Sequence, residues 1–280
     1  MRTSARPSII LMMAVATLPL LTPSAKADTV AFFYALDADL QGLKTVAREL
    51  GQASSIGTRS IQRLRLGSHT VHAVKMGSGA VETAASAQAL LSRNRCDWAF
   101  SLGPAGALAD TIGTGCWYRV DRVIAWQHGS STSVSPADFP SWNTDWGKLL
   151  ATNVPSPLAT ASNIAIASGE QFISTSGDRD RLQALSQADA VDMNSYGLAL
   201  VCADHGIPLF SWKVVSDRAD EEASETFRAF ISAYSGEGGK ALAEVILSLP
   251  ANPNDPSSYP AIERALRETQ TGELGQTPKH

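Results

Sequence analysis

The chain predicts an α/β domain built on a central, mostly parallel sheet. Three observations carry that expectation. Apolar runs of strand length, such as Val30-Ala31-Phe32-Phe33-Tyr34 and Trp98-Ala99-Phe100-Ser101-Leu102, hold no charge and read as strands buried on both faces. They alternate with helix-like segments from Asp28 to Leu249. Several strands run out onto small or polar residues, among them Gly77-Ser78-Gly79 and Ser216-Asp217, and the carboxyl ends of strands are where α/β sheets form ligand crevices.

The sequence has 280 residues, 44% apolar and 18% charged, an ordinary globular balance with room for one large or two small domains. Residues 1–27 read as an export leader. Arg2 and Arg6 open it, an apolar core runs from Ile9 to Leu21, and the small-x-small triplet Ala25-Lys26-Ala27 precedes the expected cleavage point. The apolar run is short and interrupted by Pro19, so a stable membrane anchor is not expected. The mature chain is expected in the periplasm or outside the cell, with one domain over 28–249 and a disordered tail over 250–280. Loss of Arg2, Arg6 and Lys26 makes a chain of net charge −4 more acidic, and no basic stripe interleaved with aromatics is visible, so nucleic acid is not expected as a partner. Cys96, Cys116 and Cys202 leave room for one disulfide but no framework. Neither they nor the five scattered histidines have zinc-site spacing, so no metal and no cofactor are expected.

Taken in order, Asp28 to Ala35 is the first strand. Leu40, Leu43, Val46, Ala47 and Leu50 recur at helical spacing after it, and Gly51 ends that helix. Asp37 and Asp39 lie at the strand-to-helix junction, where capping the helix is the plain reading. Ile61–Leu66 and His69–Met76 form a hairpin through Gly67-Ser68. Gly77-Ser78-Gly79 opens an alanine-rich helix to Leu91; glycines there let backbone N–H groups approach a ligand, though the full dinucleotide pattern and a P-loop lysine are both missing. Cys96–Leu102 is a strand ended by a second small-residue turn, Gly103-Pro104-Ala105-Gly106. Val120–Trp126 follows as a strand, and Gln127–Asp145, with Trp142 and, just beyond it, Trp146, as a long loop of the kind that serves as a lid or subunit contact. Ile164–Ala167 leads to Ser168-Gly169-Glu170-Gln171-Phe172-Ile173, and Ala190–Met193 to a helix ending at Gly206. Ile207–Val215 is the last strand. A helix with Phe227, Phe230, Ile231 and Tyr234 follows, breaks at Gly236-Glu237-Gly238-Gly239 and resumes to Leu249. Only a short helix over 262–267 is expected in the tail.

Ser216 and Asp217 close the last strand, ahead of the acidic helix start Asp220-Glu221-Glu222. Two readings stand: both residues cap the next helix, or Asp217 is a carboxyl group whose pKa is raised by burial so that it acts as a general acid.

The segments Ala35-Leu36-Asp37-Ala38-Asp39, Gly77-Ser78-Gly79, Gly103-Pro104-Ala105-Gly106, Ser168 through Ile173, Val191-Asp192-Met193 and Ser216-Asp217-Arg218-Ala219-Asp220 are each short. In this order and spacing the chain resembles the purine nucleoside phosphorylase superfamily, and within it the 5′-methylthioadenosine/S-adenosylhomocysteine nucleosidases. The resemblance covers nearly all of Asp28 to Leu249. It implies a three-layer α/β/α sandwich around a central mixed sheet, a homodimer, and a small nucleoside whose bond between ribose and purine is broken. Asp217 falls on the acid that protonates the purine at N7, with Ser216 orienting it. Asp39 falls where the nucleosidases use Glu to position and activate water. Phe172 and Ile173 match the segment that holds the purine, Met193 a residue under the ribose, Phe227 one lining the 5′-substituent pocket, and Ala105 and Gly106 the turn beside the sugar. The chain departs from the pattern at Asn194, where the family has Glu on the ribose hydroxyls, at Lys213, where nucleosidases often carry Arg, and at Pro104, which replaces a common Ser. A neutral amide holds the diol differently and gives less help to a cationic sugar; Lys lacks the planar fork of Arg. A phosphorolytic site needs arginines for a dianion, and the segment before Gly103 has none, so water is the expected nucleophile. A phosphorylase, and a nucleoside-binding protein without turnover on the same fold, are the alternatives.

Overall fold

The computed structural model describes residues 28–127, 158 and 161–249, with the backbone of 129–130, 133–134 and 137–140 between them. The leader expected over 1–27, the tail from Pro250 with its short helix, and Trp142 and Trp146 lie outside the described residues. In chain order the elements are β1 (Thr29–Tyr34), α1 (Asp37–Lys44), β2 (Arg48–Glu49), β3 (Ser54–Ile56), β4 (Arg59–Leu66), β5 (His69–Lys75), α2 (Ala80–Leu91), β6 (Trp98–Ala107), β7 (Trp117–Ala125), β8 (Gly129–Ser130), β9 (Ser133–Val134), β10 (Ala137–Pro140), β11 (Asn163–Ser168), α3 (Ser176–Ser186), β12 (Ala190–Asp192), α4 (Ser195–Asp204), β13 (Leu209–Asp217), α5 (Ala223–Ala233) and α6 (Glu237–Leu247).

The central sheet is mixed. β5, β1, β6 and β13 lie side by side and parallel, so their carboxyl ends share one edge. β4 pairs antiparallel with β5 and extends the sheet outward. On the other side β6, β13, β7, β11 and β12 pair in sequence, and β12 returns antiparallel to β6, which closes these five strands on themselves. The sandwich the resemblance implied is therefore met in part: the central mixed sheet is present, but half of it curls into a closed ring. Small side chains let the five strands share one apolar cluster, with Ala105, Ala107, Val123, Ile166, Ala190 and Val215 in contact.

Alternation along β1 divides the core. Val30, Phe32 and Tyr34 face α6 and α1 through Leu43, Leu242 and Val245, while Ala31 and Phe33 face α2 and α4 through Ala87, Leu90 and Leu198. Phe100, Phe210 and Trp212 stack with centroids 5.6–6.3 Å apart, and the Trp212 indole N–H donates to the Leu158 carbonyl at 2.7 Å. Each such fully buried side chain contributes roughly 2–3 kcal/mol. No helix among the described residues is long and apolar enough to cross a membrane, and Cys96, Cys116 and Cys202 are all free thiols.

Several local expectations shift. The first helix stops at Lys44, not Gly51: the Thr45 hydroxyl turns back onto the Gly42 carbonyl, and Arg48–Glu49 pairs with β4 as an edge strand. Gly103-Pro104-Ala105-Gly106 is no turn but the continuation of β6, tolerated because β13 and β12 pair along it. Within the expected loop 127–145, the backbone of Ala137–Pro140 pairs antiparallel with β7. Helix α3 is one the sequence reading passes over. Its polar composition hides the periodicity, and its start is marked by Thr175, whose hydroxyl accepts the Asp178 N–H.

Candidate active site

A cavity of about 380 Å³ opens at the shared carboxyl edge of β5, β1, β6 and β13, within the size range of small-molecule pockets. It brings together eight residues singled out in the sequence: Ala105, Gly106, Phe172, Met193, Asn194, Ser216, Asp217 and Phe227. Leu36, Lys75, Gly77, Ser78, Pro104 and Asp192 also line it.

The β13 end is shaped by a bulge. Val215 pairs with Ala105 and Asp217 with Gly106, which leaves Ser216 as the extra residue; bulges of this kind re-aim side chains beside functional sites. Ser216 and Asp217 thus belong to the strand and not to the helix after it, whose N-cap is Glu222. The Ser216 hydroxyl lies 2.7 Å from Asp217 Oδ2 and 3.2 Å from the Ala105 carbonyl, and Asp217 Oδ1 accepts the Ala219 N–H at 3.0 Å. Ala219 holds φ +52°, a left-handed conformation that costs about 1 kcal/mol or more and delivers that N–H. Gly106 is required by close approach: a Cβ there would lie 2.8 Å from Asp217 Oδ1. Asp217 is 1% exposed. Burial pushes its pKa up, the Ser216 hydroxyl and Ala219 N–H pull it partway back, and Asp220 adds to the rise. Ser216 has one hydroxyl hydrogen for two acceptors. Protonation of Asp217 at Oδ2 resolves the conflict, because the acid then donates to Ser216 while Ser216 donates to Ala105.

Asn194 precedes α4. Its Nδ2 donates to the Gly77 carbonyl at 2.9 Å and to Thr83 Oγ1 at 2.8 Å. A carbonyl only accepts, so this contact fixes which way the amide points. The side-chain oxygen takes no hydrogen bond among the described residues. Phe172, 38% exposed, and Phe227 meet at 5.7 Å with their rings tilted by 57°. The N–H groups at the glycine turn before α2 are occupied by carboxylates: Glu82 accepts from Ser78 at 2.9 Å and Glu170 from Val81 at 3.0 Å.

Three singled-out residues do not line the cavity. Ile173 is buried with Leu182 and Val191 in the core beside α3, so only its backbone can serve a ligand. Lys213 is fully buried and paired with Asp192 Oδ2 at 2.7 Å. Asp39, 0% exposed, points to the α5–α6 junction, where its Oδ1 accepts from the Tyr234 hydroxyl at 2.5 Å. Its Oδ2 is buried without a hydrogen bond. Burial raises its pKa to about 6 against the pull of the Tyr234 hydroxyl and Gly239 N–H, with Glu237 adding to the rise and Lys213 opposing it.

Sequence reading assigned no role to Asp192 or Tyr234. Asp192 binds Lys213 and also accepts from the Ser195 hydroxyl and N–H at the start of α4. Its signal was its place in Val191-Asp192-Met193. Tyr234 lies 195 positions from Asp39, and nothing local marks the contact.

The model of the phosphorylase superfamily matches residues 29–247. The 5′-methylthioadenosine/S-adenosylhomocysteine nucleosidase of Staphylococcus saprophyticus is 28% identical over 177 residues, 60% of this chain and 77% of the relative. The aminodeoxyfutalosine nucleosidase of Helicobacter pylori is 35% identical over 81 residues, 29% of this chain and 35% of the relative. The crystal structure of the Helicobacter pylori 5′-methylthioadenosine/S-adenosyl homocysteine nucleosidase superposes with a TM-score of 0.72 at 17% identity, over 80% of this chain and all of the other, a likeness of fold. With its family model spanning β1 to α6 and its cavity on the edge where β5, β1, β6 and β13 end, the chain belongs to the phosphorylase superfamily.

Proposed function

We propose that the chain is an exported nucleosidase that hydrolyses the N-glycosidic bond of a purine nucleoside such as 5′-methylthioadenosine or S-adenosylhomocysteine. The observation that carries this reading is Asp217: a buried carboxyl group with a raised pKa, oriented by Ser216 and Ala219, at the wall of a nucleoside-sized cavity. The Asp217 proton passes to purine N7 as the C1′–N9 bond breaks, and the bonding pair leaves with the base. Positive charge develops on the ribose. Water adds its oxygen to C1′ and gives up a proton to Asp39; Asp39 then releases that proton to solvent and Asp217 takes one up, which restores both groups for the next turnover. Phe172 offers a face to the purine, and the Asn194 oxygen an acceptor to the ribose hydroxyls. Met193 lies under the sugar and Phe227 beside the 5′-substituent.

Water, not phosphate, is supported by the charges. Among the described residues the one cation lining the cavity is Lys75, which is tied to Asp37 at 2.6 Å, and Glu82 and Glu170 accept from the Ser78 and Val81 N–H groups at the turn where a phosphate would sit. A nucleoside-binding protein without turnover is the second reading, favoured by Asp39 lying outside the cavity lining. Export rests on the leader sequence over residues 1–27, and the homodimer on the resemblance alone. The test is an assay of the purified protein on a panel of purine nucleosides with and without phosphate. Free base and free sugar, with no dependence on phosphate, are expected. Base release that requires phosphate would make the chain a phosphorylase, and tight binding without release would make it a binding protein.

A further inference from the structure

The glycine-rich turn between α5 and α6 lies outside the cavity, yet it is built against one residue. Gly236 has φ +84°, and a Cβ there would overlap the Ala38 carbonyl oxygen; a Cβ on Gly239 would overlap that of Asp39. The turn thus lies backbone to backbone on the part of α1 that carries Asp39. Tyr234 ends α5 just before it, its ring stacked on Phe230 at 5.3 Å and tilted against Trp117 at 6.4 Å. The Gly238 N–H donates into the phenol oxygen at 2.9 Å. The single phenol hydrogen is thereby aimed at Asp39 Oδ1, and the direction of that hydrogen bond is fixed.

We propose that Tyr234 is a positioning residue for Asp39: it engages Oδ1 and leaves Oδ2, buried and without a hydrogen bond, as the oxygen left to accept a proton. This rests on Asp39 acting as the base in the reaction above. The other charged groups facing Asp39 are Glu237 of α6, whose carboxylate is engaged by the Ser235 hydroxyl at 2.6 Å, and Lys213 of β13, which is paired with Asp192. Among these groups Tyr234 is the one hydrogen-bonded to the carboxylate. A donor to the ionised form favours that form, so the phenol keeps Asp39 available as a base at lower pH than burial alone allows.

The test compares Tyr234→Phe, Asp39→Asn and the double variant with wild type on 5′-methylthioadenosine from pH 4.5 to 8.5. Phe keeps the ring stacking and removes the hydroxyl. Tyr234→Phe is expected to lower kcat about tenfold or more, the size of a lost hydrogen bond to a charged group. KM should stay within about twofold, since the residue does not line the cavity. The acid limb of the kcat/KM profile should move up by about one pH unit. Partial unfolding scales kcat but leaves that limb in place, so the limb separates positioning from stability. The double variant should be no slower than Asp39→Asn. An unmoved acid limb in Tyr234→Phe, with Asp39→Asn inactive, overturns the proposal while sparing Asp39 as base. Asp39→Asn at wild-type rate removes the base itself, and the proposal with it.

Discussion

Asp217 and Asp39 are both buried carboxyl groups with raised pKa values, and their settings differ in what each faces. Asp217 stands at the end of a strand paired on both sides, its oxygens engaged by Ser216 and Ala219, and it opens onto the cavity. Asp39 stands in the first turn of a short helix, its contacts drawn from α5 and α6, and it lies outside the cavity lining. Burial alone, then, does not make a catalytic acid. The β13 bulge sets the Asp217 carboxyl group at the cavity wall, where the proposed acid would meet a ligand, whereas the Asp39 carboxyl group is turned to the junction between α5 and α6.

Breaking the Asp217 side should give the largest effect. Asp217→Asn cannot deliver a proton, and general acid catalysis is worth on the order of 10²–10⁴-fold. Steady-state kinetics should show that loss in kcat with the circular dichroism spectrum unchanged. Next comes the ion pair behind the cavity. Lys213→Met strands the buried Asp192 carboxylate and is expected to destabilise the fold by about 3–5 kcal/mol in denaturant unfolding.

Asp39→Asn sharpens the contrast, because it should slow the enzyme and stabilise the fold together. The Asp39 pKa is about 6 against an ordinary 3.8, so the native state binds this proton more tightly than the unfolded chain. The stabilisation from that proton is full below pH 3.8 and is lost as pH rises through 6. Asparagine removes the cost of the buried charge, on the order of 2–3 kcal/mol at pH 7.5. Melting curves should show the variant above wild type at pH 7.5, with the gap closing by pH 4. The smallest expected effect is at the cavity rim. Asn194→Asp sets a carboxylate oxygen against the Gly77 carbonyl and removes a donor from Thr83, with a loss of about 1–3 kcal/mol in unfolding free energy.

The same comparison explains what was legible in the sequence. The Asp217 corner could be read because its parts are contiguous: a β-branched strand, Ser216, Asp217 and an acidic helix start. The hairpin through Gly67, the glycine turn before α2 and the strand–helix alternation were visible for the same local reason. Ring closure of β6, β13, β7, β11 and β12 was not, since it depends on small residues such as Ala105 and Ala190 packing across distant strands. Pro104 and Gly106 read as a turn because their intrinsic preferences oppose a strand, and pairing on both sides outweighs those preferences. The true neighbours of Asp39 were hidden furthest, because Tyr234 is brought to it by the packing of glycines on α1, a long-range event without a local pattern. Lys213 and Ile173 were matched by position to a site they do not line; strand alternation turns the first inward to Asp192, and the α3 core claims the second.

The most direct measurement of the central claim is cleavage of 5′-methylthioadenosine and its 7-deaza analogue by wild type and Asp217→Asn. The analogue has no N7 to receive a proton. If Asp217 delivers that proton, wild type should cut the natural nucleoside far faster than the analogue, and Asp217→Asn should cut both at one slow rate. An Asp217→Asn enzyme that still releases adenine at the wild-type rate, or a wild type that does not distinguish the two nucleosides, would contradict the account.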